Sequence, residues 1–354
     1  MYWYYFIYGL VLCGVVPAFV NDDKVRRHIQ SLYFPFVLFV LAIFAGFRSP
    51  AVDRDYGSYL DWFNKVAAGD LFVQDWAKDP AFVLISYIIS WVGWSYIGVV
   101  IFYATTALVA QLYFSKMASH RRWVTLFFYL VICSAFISSE MTEIRSAVAI
   151  PLMSIGILLA LRGRRKSALL IYGIAIAFHF SALIGLPAFV LAISDGQFIS
   201  RWWILSLAPA AICVKSGLRN VLALLSQMSR LSDYLNGNYS TESIRLVSVY
   251  FIVRVLAVSL VMIFYWNRLS RQNRLEVFCC SLGLFIQIVF SFNDALGLRG
   301  AEVFALFDIC VFMVPLDYLK GNFRIVYAAC LVLLGLVFFH SALNIIQPYR
   351  WISA

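Results

Sequence analysis

Four ionisable side chains lie inside strongly apolar segments of this chain. They are His179, Arg254, Asp308 and His340. Histidine exchanges a proton near neutral pH, and the planar fork of arginine binds phosphate or carboxylate oxygens, so these residue types could do chemistry. Counting about 1.5 Å per helical residue places all four roughly 8–12 Å from the same side of a helical bundle. Because charge in hydrocarbon is costly, such residues usually face a bundle interior, and the pattern predicts a polar cavity on that side.

Each of these residues also has a purely structural interpretation. His179 and His340 could be hydrogen-bonded histidines of the core, and Arg254 could neutralise Asp308. Their convergence at one depth is therefore a stronger indication than any one of them. Further charged residues fall at helix ends on the same side. Two of them, Arg299 and Glu302, lie three residues apart and could form a local ion pair. This second set is Arg48, Glu140, Glu143, Arg145, Asp294, Arg299 and Glu302.

Composition points to a chain that folds in lipid. Hydrophobic residues make up 63% of its 354 residues and charged residues only 13%, whereas a soluble domain carries about 25% charged residues. The formal charge is +10, and the basic residues lie in short loops between apolar segments. Such a distribution indicates the orientation of the chain in a membrane and not nucleic-acid binding. The seven cysteines all fall in apolar stretches without a C-x-x-C pair, which predicts neither a disulfide framework nor a zinc site.

The apolar segments predict an all-α, polytopic integral membrane protein with about ten transmembrane helices. A span needs about 20 mostly apolar residues. Two further stretches, 80–92 and 202–218, would raise the number to twelve if both cross. The predicted spans are residues 3–20, 33–48, 95–114, 123–139, 146–161, 167–193, 246–266, 275–293, 301–318 and 325–345.

Basic loops set the predicted orientation, because cytoplasmic loops are enriched in Lys and Arg. Basic residues follow the first apolar run and do not precede it, so we expect that run to be a retained span with its N-terminal end outside. The whole chain, 1–354, is expected to form a single membrane domain, with long outer connections at about 49–94 and 194–245. The cytoplasmic clusters are Lys24/Arg26/Arg27, Lys116/Arg121/Arg122, Arg162/Arg164/Arg165/Lys166, Arg268/Arg271/Arg274 and Lys320/Arg324.

Three stretches together resemble a known family. They are FRSPAVDRDYGSYLDWF at 47–63, the EIRSAVAIP to LIGLPAF stretch at 143–189, and GLRGAEVFALFDI at 297–309. Their order and spacing resemble the Wzy-type O-antigen and exopolysaccharide polymerases, especially the EpsG-like branch. The positions that match the family's pattern are Arg48, Asp55, Tyr56, Tyr59, Arg145, His179 and Arg299.

This resemblance implies a glycosyltransferase of the bacterial inner membrane with a GT-C-like fold and an active site facing the periplasm. Its donor and acceptor would be oligosaccharide repeat units on undecaprenyl diphosphate, and the diphosphate lipid would leave. A chain-length regulator is an expected further partner, and nucleic acid is not. The Asp53-Arg54-Asp55 triplet looks like a metal–diphosphate signature, but its central arginine would compete with a cation, so we expect no metal or other cofactor.

Such a reaction assigns roles to particular residues. Stabilising the departing diphosphate suits Arg145 and Arg299 first, then Arg48 and Arg254. Removing a proton from the attacking hydroxyl suits His179 first and Glu143 second, with Asp55 as an alternative base or sugar ligand. The residues expected to contact sugar are Tyr56, Tyr59 and Glu302, although tyrosines also simply line membrane interfaces.

Two other classes of function remain open from the sequence. One is a polytopic transporter or a flippase of lipid-linked oligosaccharides, although the chain lacks the internal repeat that many transporters show. The other is an O-antigen ligase-like glycosyltransferase, which would pass the glycan to a different acceptor. A structural or receptor-like role would not explain why several charged side chains lie at the same depth in the membrane.

Overall fold

The chain is built almost wholly of helices. The computed structural model describes residues 1–53, 55–70, 79–194, 199–225, 248–344 and 346–352, and these ranges hold no strand beyond an isolated bridge. Short 3-10 or π turns lie between several helices. The helices are α1 (Tyr2–Cys13), α2 (Val16–Phe19), α3 (Asp23–Gly46), α4 (Tyr56–Ala68), α5 (Pro80–Trp91), α6 (Tyr96–Ala118), α7 (Val124–Ala135), α8 (Ile144–Leu161), α9 (Arg165–Phe178), α10 (Leu186–Ile193), α11 (Arg201–Leu225), α12 (Val249–Phe264), α13 (Arg271–Val289), α14 (Asp294–Glu302), α15 (Ala305–Tyr318) and α16 (Gly321–Ala342).

Several of these helices suit a membrane, which confirms the predicted all-α membrane protein. Among the described residues, five helical stretches are long and apolar enough to cross: α1 with α2, then α3, α6, α8 and α16. Four shorter apolar stretches are Pro80–Trp91, Val124–Glu140, Phe180–Ile193 and Val249–Phe264. The total of about ten spans stays a prediction.

The predicted helix over 167–193 is wrong, because the chain breaks at His179. Helix α9 ends at Phe178, a 3-10 turn covers Phe180–Gly185, and α10 begins at Leu186. Pro187 lacks a backbone N–H, so it fits the first turn of a new helix but not a helix interior. The Tyr172 hydroxyl donates to the carbonyl of Ala182 at 2.8 Å, which satisfies a group in the turn that follows the break.

Other predicted boundaries shift in smaller ways. Helix α3 begins at Asp23 instead of 33, because the Asp22 carboxylate accepts from two backbone N–H groups of its first turn. The predicted span 301–318 is divided between α14 and α15. The connection at 49–94, which is predicted to lie outside, holds helices α4 and α5. The connection at 194–245 begins with α11, and most of its later part lies outside the described residues.

The helices form two compact units. The first comprises Met1–Gly156, Lys166–Ala182 and Leu316–Ala354. The second comprises Ile157–Arg165 and Leu183–Pro315.

Three remote parts of the chain meet at one face of the first unit: the start of α1, residues 44–52 and the 347–352 segment. The Tyr4 hydroxyl donates to the carbonyl of Gln347 at 3.0 Å. The ring of Tyr349 stacks on Phe44 with centroids 3.9 Å apart. Backbone bonds then join Ser49 N–H to Arg350 O at 2.8 Å and Ile352 N–H to Phe47 O at 2.9 Å. Residues 347–352 therefore lie on the same side as the start of the first long connection.

Candidate functional site

Asp79 stands at the centre of a polar cluster in the first unit. It precedes Pro80, the first residue of α5, in a non-helical conformation with φ −151° and ψ 83°. Proline disfavours a helical residue before it, so the Asp–Pro pair fixes where this helix begins. The Asp79 carboxylate is only 1% exposed, and a buried carboxylate is tolerated when other groups satisfy both of its oxygens.

Arg145 satisfies one of these oxygens. It lies in the first turn of α8, and its Nη1 donates to Asp79 Oδ2 in a salt bridge. Its Nε donates to the Tyr59 hydroxyl at 3.3 Å. The side chain is 16% exposed, and within the described part of the chain Nη2 has no hydrogen-bond partner. Among the described residues, Arg145 therefore has one N–H-bearing nitrogen that a further ligand can contact.

His179 satisfies the other oxygen. Its Nδ1 lies 3.1 Å from Asp79 Oδ1, and its side chain is 30% exposed. A carboxylate only accepts hydrogen bonds, so Nδ1 carries the proton in this pair. Nε2 of a neutral His179 then has a lone pair free to accept a proton. The break in the helix after Phe178 places the histidine where this contact forms.

Aromatic rings enclose Arg145. Its guanidinium carbon lies 5.1 Å from the Tyr59 ring and 5.4 Å from the Trp62 ring, both on α4. Trp62 in turn stacks on Phe82 at 4.5 Å, so it is held between that ring and the cation. Burial raises the pKa of the Tyr59 phenol, although Arg145 opposes this. Tyr59 therefore stays neutral near pH 7 and accepts the bond from Arg145.

Glu143, the second predicted base, lies just before α8. Its carbonyl accepts from Ala147 N–H at 3.0 Å. Its carboxylate accepts from the Ser146 hydroxyl at 3.2 Å. An acid at this position suits the positive end of the helix dipole. Glu143 is two residues from Arg145 and half-buried.

A second ion pair in the first unit joins Arg48 to Asp53. Arg48 Nη2 lies 2.9 Å from Asp53 Oδ2, and both side chains are fully buried. Asp53 Oδ1 accepts from the backbone N–H of Asp55 at 2.9 Å. The Arg48 guanidinium lies 5.7 Å from the Tyr56 ring. Burial raises the pKa of Asp53, and Arg48 opposes that rise. Both Asp53 oxygens are thus used inside the protein; Arg54 lies outside the described residues.

The second unit contains a third buried pair, Arg254 with Asp308. Their atoms approach to 2.9 Å, and both side chains are 1% exposed. Tyr250 donates to Asp308 at 2.9 Å, and Arg254 Nη1 donates to Gln287 at 3.1 Å. This pairing is the structural alternative that the sequence left open for Arg254. Breaking such a pair by removing one partner costs about 3–5 kcal/mol.

A glycine makes room for Arg254. A Cβ added at Gly283 would lie 2.4 Å from Arg254 Nη2 and 3.3 Å from the Ala301 carbonyl. We expect Gly283→Ala to lower the free energy of unfolding by about 1–3 kcal/mol, since the held guanidinium has to shift. Gly173→Ala is the matched control, because nothing lies within 4 Å of its Cβ position and it should be neutral or slightly stabilising. Thermal unfolding in detergent measures both, and equal midpoints would contradict the expectation.

Arg299 and Glu302 also belong to the second unit. Both are exposed and lie three residues apart on α14. His340, on α16 of the first unit, is exposed as well.

The predicted site residues thus fall into separate groups. Arg145, His179 and Tyr59 meet around Asp79. Arg48 and Asp55 contact Asp53, and Tyr56 contacts Arg48. Arg254, Arg299 and Glu302 belong to the second unit.

The sequence interpretation missed Asp79 and Trp62. Asp79 did carry a signal, since an aspartate before a proline at the start of an apolar stretch is typical of a helix N-terminus. It was one of several acids in the same connection, and nothing local set it apart.

The order of these groups along the chain can be compared with known families. A model of the EpsG family matches residues 31–351, which is most of the chain. The chain belongs to the EpsG family. No curated protein matches it, and no solved structure does. The matched range contains Arg48, Asp79, Arg145, His179 and Arg299. The family assignment agrees with a membrane protein of the polysaccharide polymerase type. A GT-C-like arrangement of the helices stays a prediction.

Proposed function

We propose that this EpsG-family protein is a polysaccharide polymerase of the bacterial inner membrane. It joins oligosaccharide repeat units carried on undecaprenyl diphosphate, working on the periplasmic side. One repeat unit, or the growing glycan, is the donor, and a hydroxyl of the next unit is the acceptor. The paired placement of His179 and Arg145 on one carboxylate is the observation that carries this proposal.

Each residue of the pair suits one half of a glycosyl transfer. The acceptor hydroxyl oxygen forms a bond to the anomeric carbon, and its proton passes to His179 Nε2. The bond between that carbon and the diphosphate oxygen breaks, and the electron pair leaves with the diphosphate. Arg145 Nη2 donates to the departing oxygens as their charge grows. Because an arginine supplies this positive charge, we expect activity without a metal.

Helix lengths support the periplasmic assignment. Arg145 is the second residue of α8, which has 18 residues and ends at the basic turn Arg162–Lys166. A helix of that length spans about 27 Å, nearly the hydrocarbon thickness. His179 directly follows α9, which starts within the same basic turn. Both residues therefore lie at helix ends remote from the turn that the positive-inside rule places in the cytoplasm.

The first test removes the base. In a strain lacking the gene, wild type should restore a ladder of surface polysaccharide, and His179→Ala should lower polymer about 100-fold at equal protein level. A single repeat unit should still cap the lipid. Electrophoresis of the surface glycan measures both.

Two comparisons sharpen this test. His179→Gln keeps the volume and a hydrogen-bonding group without a titratable nitrogen, so it should fail like alanine. Glu143→Gln is the matched variant for the second candidate base and should retain polymer if His179 is the base. A normal ladder in the deletion strain would overturn the polymerase proposal and favour transport, while loss of the whole glycan from its acceptor lipid would favour a ligase.

A further inference from the structure

Asp79 makes two contacts that have opposite consequences for catalysis. Through Oδ1 it holds His179 Nδ1 at 3.1 Å, and through Oδ2 it holds Arg145 Nη1. The first contact fixes the ring and its tautomer, which favours proton transfer at Nε2. The second contact neutralises the cation that an anionic ligand needs. One buried carboxylate therefore supports the base and restrains the arginine.

We propose that Asp79 is the positioning residue of this site, which holds His179 in its reactive orientation and competes with a diphosphate for Arg145. This inference rests on the proposed function and adds a residue to it. A ligand diphosphate takes over the guanidinium as it binds, and the carboxylate remains with the histidine. Affinity for the diphosphate is thereby kept low, which favours release of the product lipid diphosphate.

The surroundings of Arg145 are arranged for such an exchange. The Trp62 and Tyr59 rings hold the guanidinium plane through cation–π contacts at 5.4 and 5.1 Å, independently of the carboxylate. Its Nε bond to Tyr59 engages a neutral phenol. The guanidinium is thus held in place when Asp79 Oδ2 is given up. Arg48 is not arranged for such an exchange, because both it and its carboxylate partner Asp53 are fully buried, whereas Arg145 is partly exposed.

The consequence is a split between binding and turnover. Asp79→Asn removes the negative charge and lets an amide N–H face His179, which favours the wrong tautomer. We expect this variant to bind a diphosphate about tenfold more tightly, since Arg145 loses a charged competitor. We expect it to make about 100-fold less polymer, since the base is misdirected. Loss of fold alone would lower both binding and polymer.

Binding is measured on the purified full chain in detergent, by calorimetry with farnesyl diphosphate and with inorganic pyrophosphate. A tighter Kd for both probes together with lost polymer supports the proposal. A gain limited to farnesyl diphosphate would come from the prenyl chain and would overturn the competition. Unchanged or weaker binding of both would overturn it as well.

Two further variants keep the test decisive. Asp79→Glu retains the charge but moves the oxygens by about 1.5 Å, so it should bind like wild type and make at least about tenfold less polymer. It also serves if Asp79→Asn fails to accumulate, and full polymer from it would overturn the positioning role. Asp61→Asn, an exposed acid on α4, is the control and should change neither quantity. If wild type itself restores no polymer, the proposed function fails. If wild type restores polymer and the Asp79 variants match it in binding and in polymer, this inference alone fails.

Discussion

Replacing Arg145 with alanine should abolish surface polymer, with a loss of about 100- to 1,000-fold at equal protein level. That range is the usual effect of removing one group that stabilises developing negative charge. Arg145→Lys should restore only part of the activity, because an ammonium group lacks the planar set of N–H donors with which Arg145 contacts Tyr59 and a ligand. The amount of long-chain glycan on a gel, normalised to protein in the membrane fraction, measures the effect.

A control must separate lost chemistry from lost fold, since the alanine variant leaves Asp79 buried without its cation. Leaving a buried charge unpaired in this way lowers the free energy of unfolding by about 3–5 kcal/mol. The double variant Arg145→Gln/Asp79→Asn removes both charges together, so it should fold like wild type and still make no polymer. Arg299→Ala gives a comparison from the second unit, and it too should abolish polymer if it binds the diphosphate. Wild-type polymer from Arg145→Ala would remove that residue from the site.

The second large effect concerns Tyr349 in the 347–352 segment. Tyr349→Ala should lower the free energy of unfolding by about 3–5 kcal/mol, because the ring is 6% exposed and stacks on Phe44. The lost support lies next to Arg48, whose backbone forms a bridge with Trp351. Thermal unfolding of the purified chain in detergent measures the loss.

The hydroxyl and the ring of Tyr349 can be tested separately. The hydroxyl donates to the Phe44 carbonyl at 2.8 Å. Tyr349→Phe keeps the stacking and loses only this bond, so it should cost about 0.5–1.5 kcal/mol. Similar losses in the two variants would mean that the ring contributes little, which contradicts the expectation. A chain that ends at Ile346 should lose at least as much stability as Tyr349→Ala.

The sequence predicts the helices well and their interruptions poorly. Long apolar segments between basic loops identify α3, α6, α8 and α16, because length and hydropathy are local properties. The break at His179 depends on Pro187, eight residues later, and on the Tyr172 hydroxyl, which reaches forward to the carbonyl of Ala182. The residues on both sides of the break are mostly apolar, so a hydropathy profile predicts one span where the chain has two helices.

The candidate site shows the same limit. Depth along a helix picks out His179, and residue type picks out Arg145, but neither indicates which carboxylate joins them. Asp79 lies 66 residues from Arg145 and 100 residues from His179 along the chain. Pairing at such separations depends on tertiary packing. The same applies to Arg254 and Asp308, whose mutual neutralisation was one of two open interpretations until their 2.9 Å contact was seen.

The meeting of Tyr4, Phe44 and the 347–352 segment constrains the order in which the molecule is made. Gln347 is 343 residues from Tyr4, and Tyr349 is 305 residues from Phe44. Helices enter a membrane as the ribosome produces them, so the early helices wait until residues 347–352 have been made before these contacts can form. The environment of Arg48 and Asp53 is therefore completed only after α16 has been made, and a nascent chain that stalls directly after α16 is inserted but unfinished at this face.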